Sequence, residues 1–183
     1  MRIIFGGSSD IGQAIVGQRL STNECDVTKI TQISNIIAAV HPDEVVNCAG
    51  IIKPTKHGYN KEILVNLVGS FNIATCISKN TKCVFIGSTS GLHGRAGWAG
   101  YCASKAGVIS LVQSFALDGY QVWCVSPGRV KTKMRKGLFP DEDQSTLLEP
   151  SGVAQVVEDC FAGKYKTGSN IIVRRGYEIE VQD

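Results

Sequence analysis

Residues 2–12 read Arg-Ile-Ile-Phe-Gly-Gly-Ser-Ser-Asp-Ile-Gly. An apolar run of Ile and Phe suits a strand buried on both faces, and the glycines behind it break the strand at once. Ile11, Ile15 and Val16 then recur at helical spacing, which predicts a helix over residues 11–20. Strand, glycine turn and helix in this order begin a βαβ unit. Gly6 permits the tight turn, Gly12 lets helix and strand pack closely, and the free N–H groups at the helix start attract a pyrophosphate. Taken alone, the segment fits cofactor binding and an ordinary strand-to-helix turn equally well.

The same alternation continues outward. A very short strand is expected within residues 23–27, and a helix over 29–40 with Ile30, Ile33, Ile36 and Ile37 as its stripe, stopped by His41-Pro42-Asp43. Val45 and Val46 centre a strand over 44–47, and a polar loop after Gly50 leads into a helix over 60–79. Further strands are expected at 82–87, 121–125 and 170–174, and further helices at 99–118 and 151–161. Residues 129–149 read as a polar loop too long for a mere connection and suited to covering a substrate. Strands that are continuous Val/Ile runs alternating with helices predict an α/β, doubly wound parallel sheet of about six strands, with helices on both faces. Ligands bind such sheets at the carboxyl ends of the strands.

Composition narrows the class. The chain has 183 residues, 43% of them apolar, enough for one well-buried core, so one domain spanning 1–183 is expected. The formal charge is only +3, and the basic residues are scattered except for Lys131, Lys133, Arg135 and Lys136. A run this short reads as a solvated loop, and nucleic acid is not an expected partner. Seven cysteines without a Cys-x-x-Cys pair indicate neither a zinc site nor a disulfide framework, and no metal is expected. The run at residues 1–5 is shorter than a signal peptide, and no stretch approaches the roughly 20 apolar residues of a membrane span, so a cytoplasmic protein with no membrane partner is expected.

Tyr101 and Lys105 lie four apart in a predicted helix and so share a face, where an ammonium beside a phenol favours the ionised phenol. Ser88 ends a predicted strand thirteen residues before Tyr101. In chain order, Gly6 to Gly12, Asn47-Cys48-Ala49-Gly50, Asn66-Leu67-Val68-Gly69, Ser88-Thr89-Ser90-Gly91, Tyr101-Cys102-Ala103-Ser104-Lys105 and Pro127-Gly128 with Thr132 resemble the motifs of the short-chain dehydrogenase/reductase family. The likeness runs over nearly the whole chain. It implies a Rossmann-like fold and an NAD(P)-dependent oxidoreductase acting on a small carbonyl or alcohol substrate.

By that resemblance Tyr101 is the general acid or base, Ser88 polarises the carbonyl, Lys105 lowers the Tyr101 pKa and holds the nicotinamide ribose, and Asn66 helps to pass protons on. It implies cofactor contacts from Gly6, Ser8, Ser9, Ile11, Gly12, Asn47, Ala49, Gly50, Tyr101, Lys105, Pro127, Gly128, Val130 and Thr132, with Asp26 and Val27 beside the adenine. It also implies a homodimer or homotetramer built on helices 60–79 and 99–118.

Four departures stand out. Too few residues separate Gly12 from Asp26 for the strand and following helix that the family normally fits there. Asp10 replaces a usual glycine, and Arg175 replaces a glycine after the last strand. The acid that reads the adenosine ribose is usual about 20 residues past the glycine turn, where this chain has Gln32. NAD and NADP therefore both stay open, and so does a second reading, a non-catalytic dinucleotide-binding or scaffold protein with a degraded adenosine pocket.

Overall fold

The computed structural model describes residues 1–53 and 59–182. Seven strands form one sheet in the order β2-β1-β3-β4-β5-β6-β7. In chain order these are β1 (Arg2–Phe5), α1 (Asp10–Ala14), β2 (Gln18–Leu20), α2 (Ile30–Val40), β3 (Glu44–Asn47) and α3 (Tyr59–Glu62). A π-helical stretch over Ile63–Val68 joins α3 to α4 (Gly69–Cys76), and then come β4 (Lys82–Ile86), α5 (Ala99–Leu117) and β5 (Val122–Pro127). The chain ends with α6 (Lys133–Leu138), α7 (Pro150–Phe161), β6 (Asn170–Val173) and β7 (Ile179–Gln182).

Side chains along each strand alternate between two cores. Ile3 and Phe5 of β1 pack with Val45, Phe85 and Cys124 against Ile33 of α2, Ile73 of α4 and Val108 and Val112 of α5. Ile4, Val46, Val84 and Val125 face the other way, against Val153, Val157 and Phe161 of α7. Each such side chain, when fully buried, contributes about 1.5–3 kcal/mol, so the central strands hold the sheet together from both faces. β2 and β3 flank β1 on opposite sides. The chain thus reverses direction across the sheet at β1, and a crevice opens there at the carboxyl ends of the strands.

The strands over 44–47 and the helix over 151–161 lie close to where the sequence puts them, but the region after the glycine turn does not. The helix expected over 11–20 ends at Ala14, and the strand expected within 23–27 lies at Gln18–Leu20 instead. Val16, counted in the helical stripe, is 78% exposed. Gly17, at φ +154°, turns the chain back beside Arg2. Gln18 and Arg19 sit on an exposed sheet edge and need no apolar alternation, so nothing in their residue types marks a strand. No helix lies between Leu20 and α2, so β2 is the one element between α1 and α2.

Two more differences bear on the site. The 129–149 segment is not all loop, because Thr132 accepts a hydrogen bond from the Arg135 N–H and caps α6 within it. After β6 the chain turns through Gly176, at φ +76°, and β7 pairs antiparallel with β6, adding a seventh strand to the six expected. The polar loop expected after Gly50 lies partly outside the described residues.

Candidate active site

Gly87 and Ser88 continue directly from the end of β4. Ser88 caps a short turn over Thr89–Gly91, its Oγ accepting the Ser90 N–H at 3.1 Å. A Cβ on Gly91 would lie 2.8–2.9 Å from the backbone of Lys105 and Ala106, so the absent side chain lets this turn lie directly on α5. That contact brings the strand end and the helix face together. The Ser88 and Tyr101 side chains line the same cavity, and the Lys105 Nζ stands 5.8 Å from the centre of the Tyr101 ring.

Burial sets the proton affinities here. Burial pushes the Tyr101 phenol above its ordinary value, while the Ser88 hydroxyl acts in the opposite sense. Burial also pushes the Lys105 ammonium down to about 8. The expected lowering of the phenol by Lys105 is not what the structure shows; burial dominates, and what lowers the phenol comes from Ser88 and Arg95. Lys105 donates to the Ile86 carbonyl at 2.7 Å, its one acceptor among the described residues. An ammonium carries three donors, so this buried group has capacity left for a ligand's hydroxyls. That is what a nicotinamide ribose would require, and the residues fit such a cofactor at this end of the crevice.

Asn66 is 1% exposed and lies in the π-helical stretch. Its Oδ1 accepts the Ile51 N–H at 2.8 Å, and its Nδ2 donates to the Ile51 carbonyl at 2.9 Å and to Ser104 Oγ at 3.0 Å. Ser104 Oγ in turn donates to the Tyr101 carbonyl. The amide thus ties the chain after β3 to the Tyr101 helix.

On the other side of the crevice the glycine turn is built tightly. Gly6 has φ +69°, and a Cβ there would fall 2.4 Å from the Ala49 nitrogen. Ser9 caps α1 through its Oγ, which accepts the Gly12 N–H and donates to the Gly6 carbonyl. Asp10 Oδ2 accepts the Lys133 N–H at 2.8 Å, which pins the start of α6 across the crevice. Met134 and Leu138, four apart on α6, close a cavity of about 150 Å³ whose other walls include Ile52 and Trp98. Trp98 meets the Tyr101 ring edge-on at 5.9 Å and Phe139 at 6.0 Å.

Of the residues singled out in the sequence, Ser9, Ile11, Gly50, Ser88, Tyr101, Lys105, Pro127, Gly128, Val130 and Thr132 line this cavity. Several other expected residues do not. Asn47 is spent inside the core, donating to Ser70 Oγ and accepting the Ala49 N–H. Gly6, Gly12 and Ala49 act through close backbone packing, and Ser8 is exposed. The Asp26 carboxylate takes the Thr28 N–H and hydroxyl, and Val27 is buried against Gly69, so neither reaches the cavity. Gln32, at the spacing of a ribose-reading acid, accepts the Asp26 N–H instead.

Sequence reasoning missed Cys48, Ile52, Arg95, Trp98, Met134 and Leu138 as lining residues. Only the i, i+4 spacing of Met134 and Leu138 carried a signal. The basic cluster of that region is partly neutralised, since Arg135 pairs with Glu142 and Lys131 with Glu149. Among the described residues no cluster of His, Cys, Asp or Glu could hold a metal ion, and no helix is long and apolar enough to cross a membrane.

A family model described as short chain dehydrogenase matches residues 7–143. A 3-oxoacyl-(acyl-carrier-protein) reductase of Rickettsia bellii is 28% identical over 205 residues, covering 95% of this chain and 85% of its own. An uncharacterized oxidoreductase of Schizosaccharomyces pombe is 32% identical over 203 residues, covering 93% and 76%. Among solved structures, an oxidoreductase of the short chain dehydrogenase/reductase family from Burkholderia thailandensis superposes with a TM-score of 0.82 at 20% identity, covering 96% of this chain and 91% of its own.

Proposed function

Because the chain belongs to the short-chain dehydrogenase/reductase family of NAD(P)-dependent oxidoreductases, we propose that it reversibly reduces a ketone or aldehyde with Tyr101 as proton donor. The observation that carries this reading is the convergence of the Ser88 hydroxyl, the Tyr101 phenol and the buried Lys105 ammonium in one cavity at the carboxyl ends of the strands. A nicotinamide cofactor, when bound, supplies or takes up the hydride.

The chain's own groups do the rest. Amide groups of the glycine turn, with Gly50, Lys105 and the 127–132 segment, would hold the cofactor. Tyr101 gives its proton to the carbonyl oxygen, or takes it back from the alcohol, while Ser88 donates a hydrogen bond to the same oxygen. Burial keeps the phenol protonated and therefore ready to act as an acid. Asn66 holds the wall beside Lys105, and the 129–149 segment covers the substrate. Ile52, Trp98, Met134 and Leu138 suit a substrate with an apolar body. Leu64, Phe71 and Leu117, all at least 48% exposed on the two long helices, support pairing with a second copy there.

Cofactor choice falls to the turn after β2. Leu20 accepts the Gly7 N–H, and just beyond it the Glu24 carboxylate accepts from both the Ser21 N–H and hydroxyl. An acid in this place favours the free ribose hydroxyls of NAD over a 2′-phosphate.

Tyr101→Phe tests the reading. The variant should fold and bind NADH more tightly than NADPH by nicotinamide fluorescence, yet reduce a panel of ketones and aldehydes about 100- to 10,000-fold more slowly than wild type. Unchanged turnover would remove Tyr101 from the chemistry. Failure of the wild type to bind either nucleotide at millimolar concentration would favour the scaffold reading instead.

A further inference from the structure

Glu62 is the only carboxylate among the described residues that is buried, at 1% exposure, and no described basic side chain pairs with it. A buried carboxylate costs several kcal/mol unless its surroundings compensate, and an apolar side chain would fill the same space without that cost. Its place in the fold indicates what it is for. Glu62 and Asn66 lie four apart on one helical rod, and each reaches the chain beyond β3. Asn66 Oδ1 takes the Ile51 N–H, and Glu62 Oε1 takes the Lys53 N–H at 2.7 Å.

Ile51 and Lys53 are alternate residues, and both turn their N–H groups to this rod, where Asn66 and Glu62 accept them. The intervening Ile52 lines the cavity. Just before this segment, a Cβ on Gly50 would lie 3.5 Å from Lys105 Nζ. Glu62 thus holds one end of the wall that Asn66 holds at the other.

We propose that Glu62 is a positioning residue of this site, pinning the wall formed by residues 51–53 and acting on Tyr101 through its buried negative charge. The inference rests on the reading of Tyr101 as proton donor and deepens it. Among the described residues, the groups that act on the phenol are the Ser88 hydroxyl, the Cys102 thiol, Glu62 and Arg95, with Lys105 one turn along the same helix. Glu62 disfavours the phenolate and Arg95 favours it, so the two act on the phenol in opposite senses. With its charge in place, Tyr101 keeps its proton to higher pH and stays a competent acid over a wider range.

Two substitutions separate charge from reach. Glu62→Gln keeps an acceptor for the Lys53 N–H and removes the charge, whereas Glu62→Asp keeps the charge on an arm too short to pin the wall. Glu62→Gln should move the alkaline limb of the reduction profile, and the ascending limb of alcohol oxidation, down by about half a pH unit or more, with KM little changed. Glu62→Asp should raise KM and leave both limbs in place.

The same shift is read without turnover from the phenolate absorbance of Tyr101, taken as the difference between each protein and its Tyr101→Phe counterpart during an alkaline titration. Should Glu62→Gln not fold, that titration on Glu62→Met, judged folded by circular dichroism, takes its place. An unmoved Tyr101 titration in a folded, charge-free variant overturns the proposal, including the case where KM rises alone. Retained turnover in Tyr101→Phe would instead overturn the underlying assignment, which the absorbance titration does not depend on.

Discussion

A single hydrogen decides whether α5 can lie where it does. At position 91 any side chain would meet the backbone of Lys105 and Ala106 at 2.8–2.9 Å, and backbone inside a long helix has little room to yield. At Gly94, three residues on, a Cβ would meet nothing within 4 Å. Gly91→Ala should therefore lower the urea midpoint by an equivalent of about 1–3 kcal/mol and slow turnover, because the turn carrying Ser88 must lift away from Lys105. Gly94→Ala should leave both close to wild type. Equal stability of the two variants would show that the packing of this turn on α5 is not what brings Ser88 to Tyr101.

At the scale of elements, the short helix α6 crosses from the cofactor side of the crevice to the substrate side. Asp10 takes the Lys133 N–H at one end, and Phe139, just past the other end, meets Trp98. On the proposed reading a carboxylate beside the glycine turn stands near the path of the cofactor's pyrophosphate, and two like charges a few ångströms apart repel by about 1 kcal/mol even in water. Asp10→Asn keeps an acceptor for Lys133 and removes that repulsion. Isothermal titration should show NADH binding about three- to tenfold tighter to Asp10→Asn than to wild type, with the gain shrinking at high salt. An identical affinity would mean that the carboxylate points away from the phosphate path when the cofactor binds.

Across the whole molecule, seven free thiols are distributed over the core and its margins. Burial pushes Cys25 and Cys124 up to about 11 and Cys48 and Cys160 up to about 12, from an ordinary 9.0. Above pH 9 the unfolded chain releases these protons while the folded chain still holds them, so the folded state loses stability as pH rises through that window. Lys105 acts in the opposite sense, since between about 8 and its ordinary 10.5 the unfolded chain holds the proton that the folded chain has given up. Four thiols outweigh one lysine. Urea unfolding under reducing conditions should show stability falling by about 3 kcal/mol or more between pH 9 and pH 10.5. A flat profile would show that these thiols are not shielded from water as the fold places them.

Much of this was legible from residue types. The Val/Ile runs at 44–47 and 82–86, the stripe at 30–40 and the chain stops at His41-Pro42 determined an α/β sheet, because strands buried on both faces and helices buried on one leave periodic signatures. The order of Ser88, Tyr101 and Lys105 along the chain pointed to carbonyl chemistry for a related reason: a reacting group must be a particular residue type at a particular spacing. The place of β2, the helix inside the 129–149 segment and the antiparallel β7 were not legible, since exposed edge strands and short capped turns are polar and take their conformation from what they pack against. Only the tertiary structure decided that Asp26 turns to Thr28, that Asp10 reaches Lys133, and that Glu62 closes on Lys53. Those contacts join residues that the chain separates and the fold brings together, and no local pattern of residue types records which of them will meet.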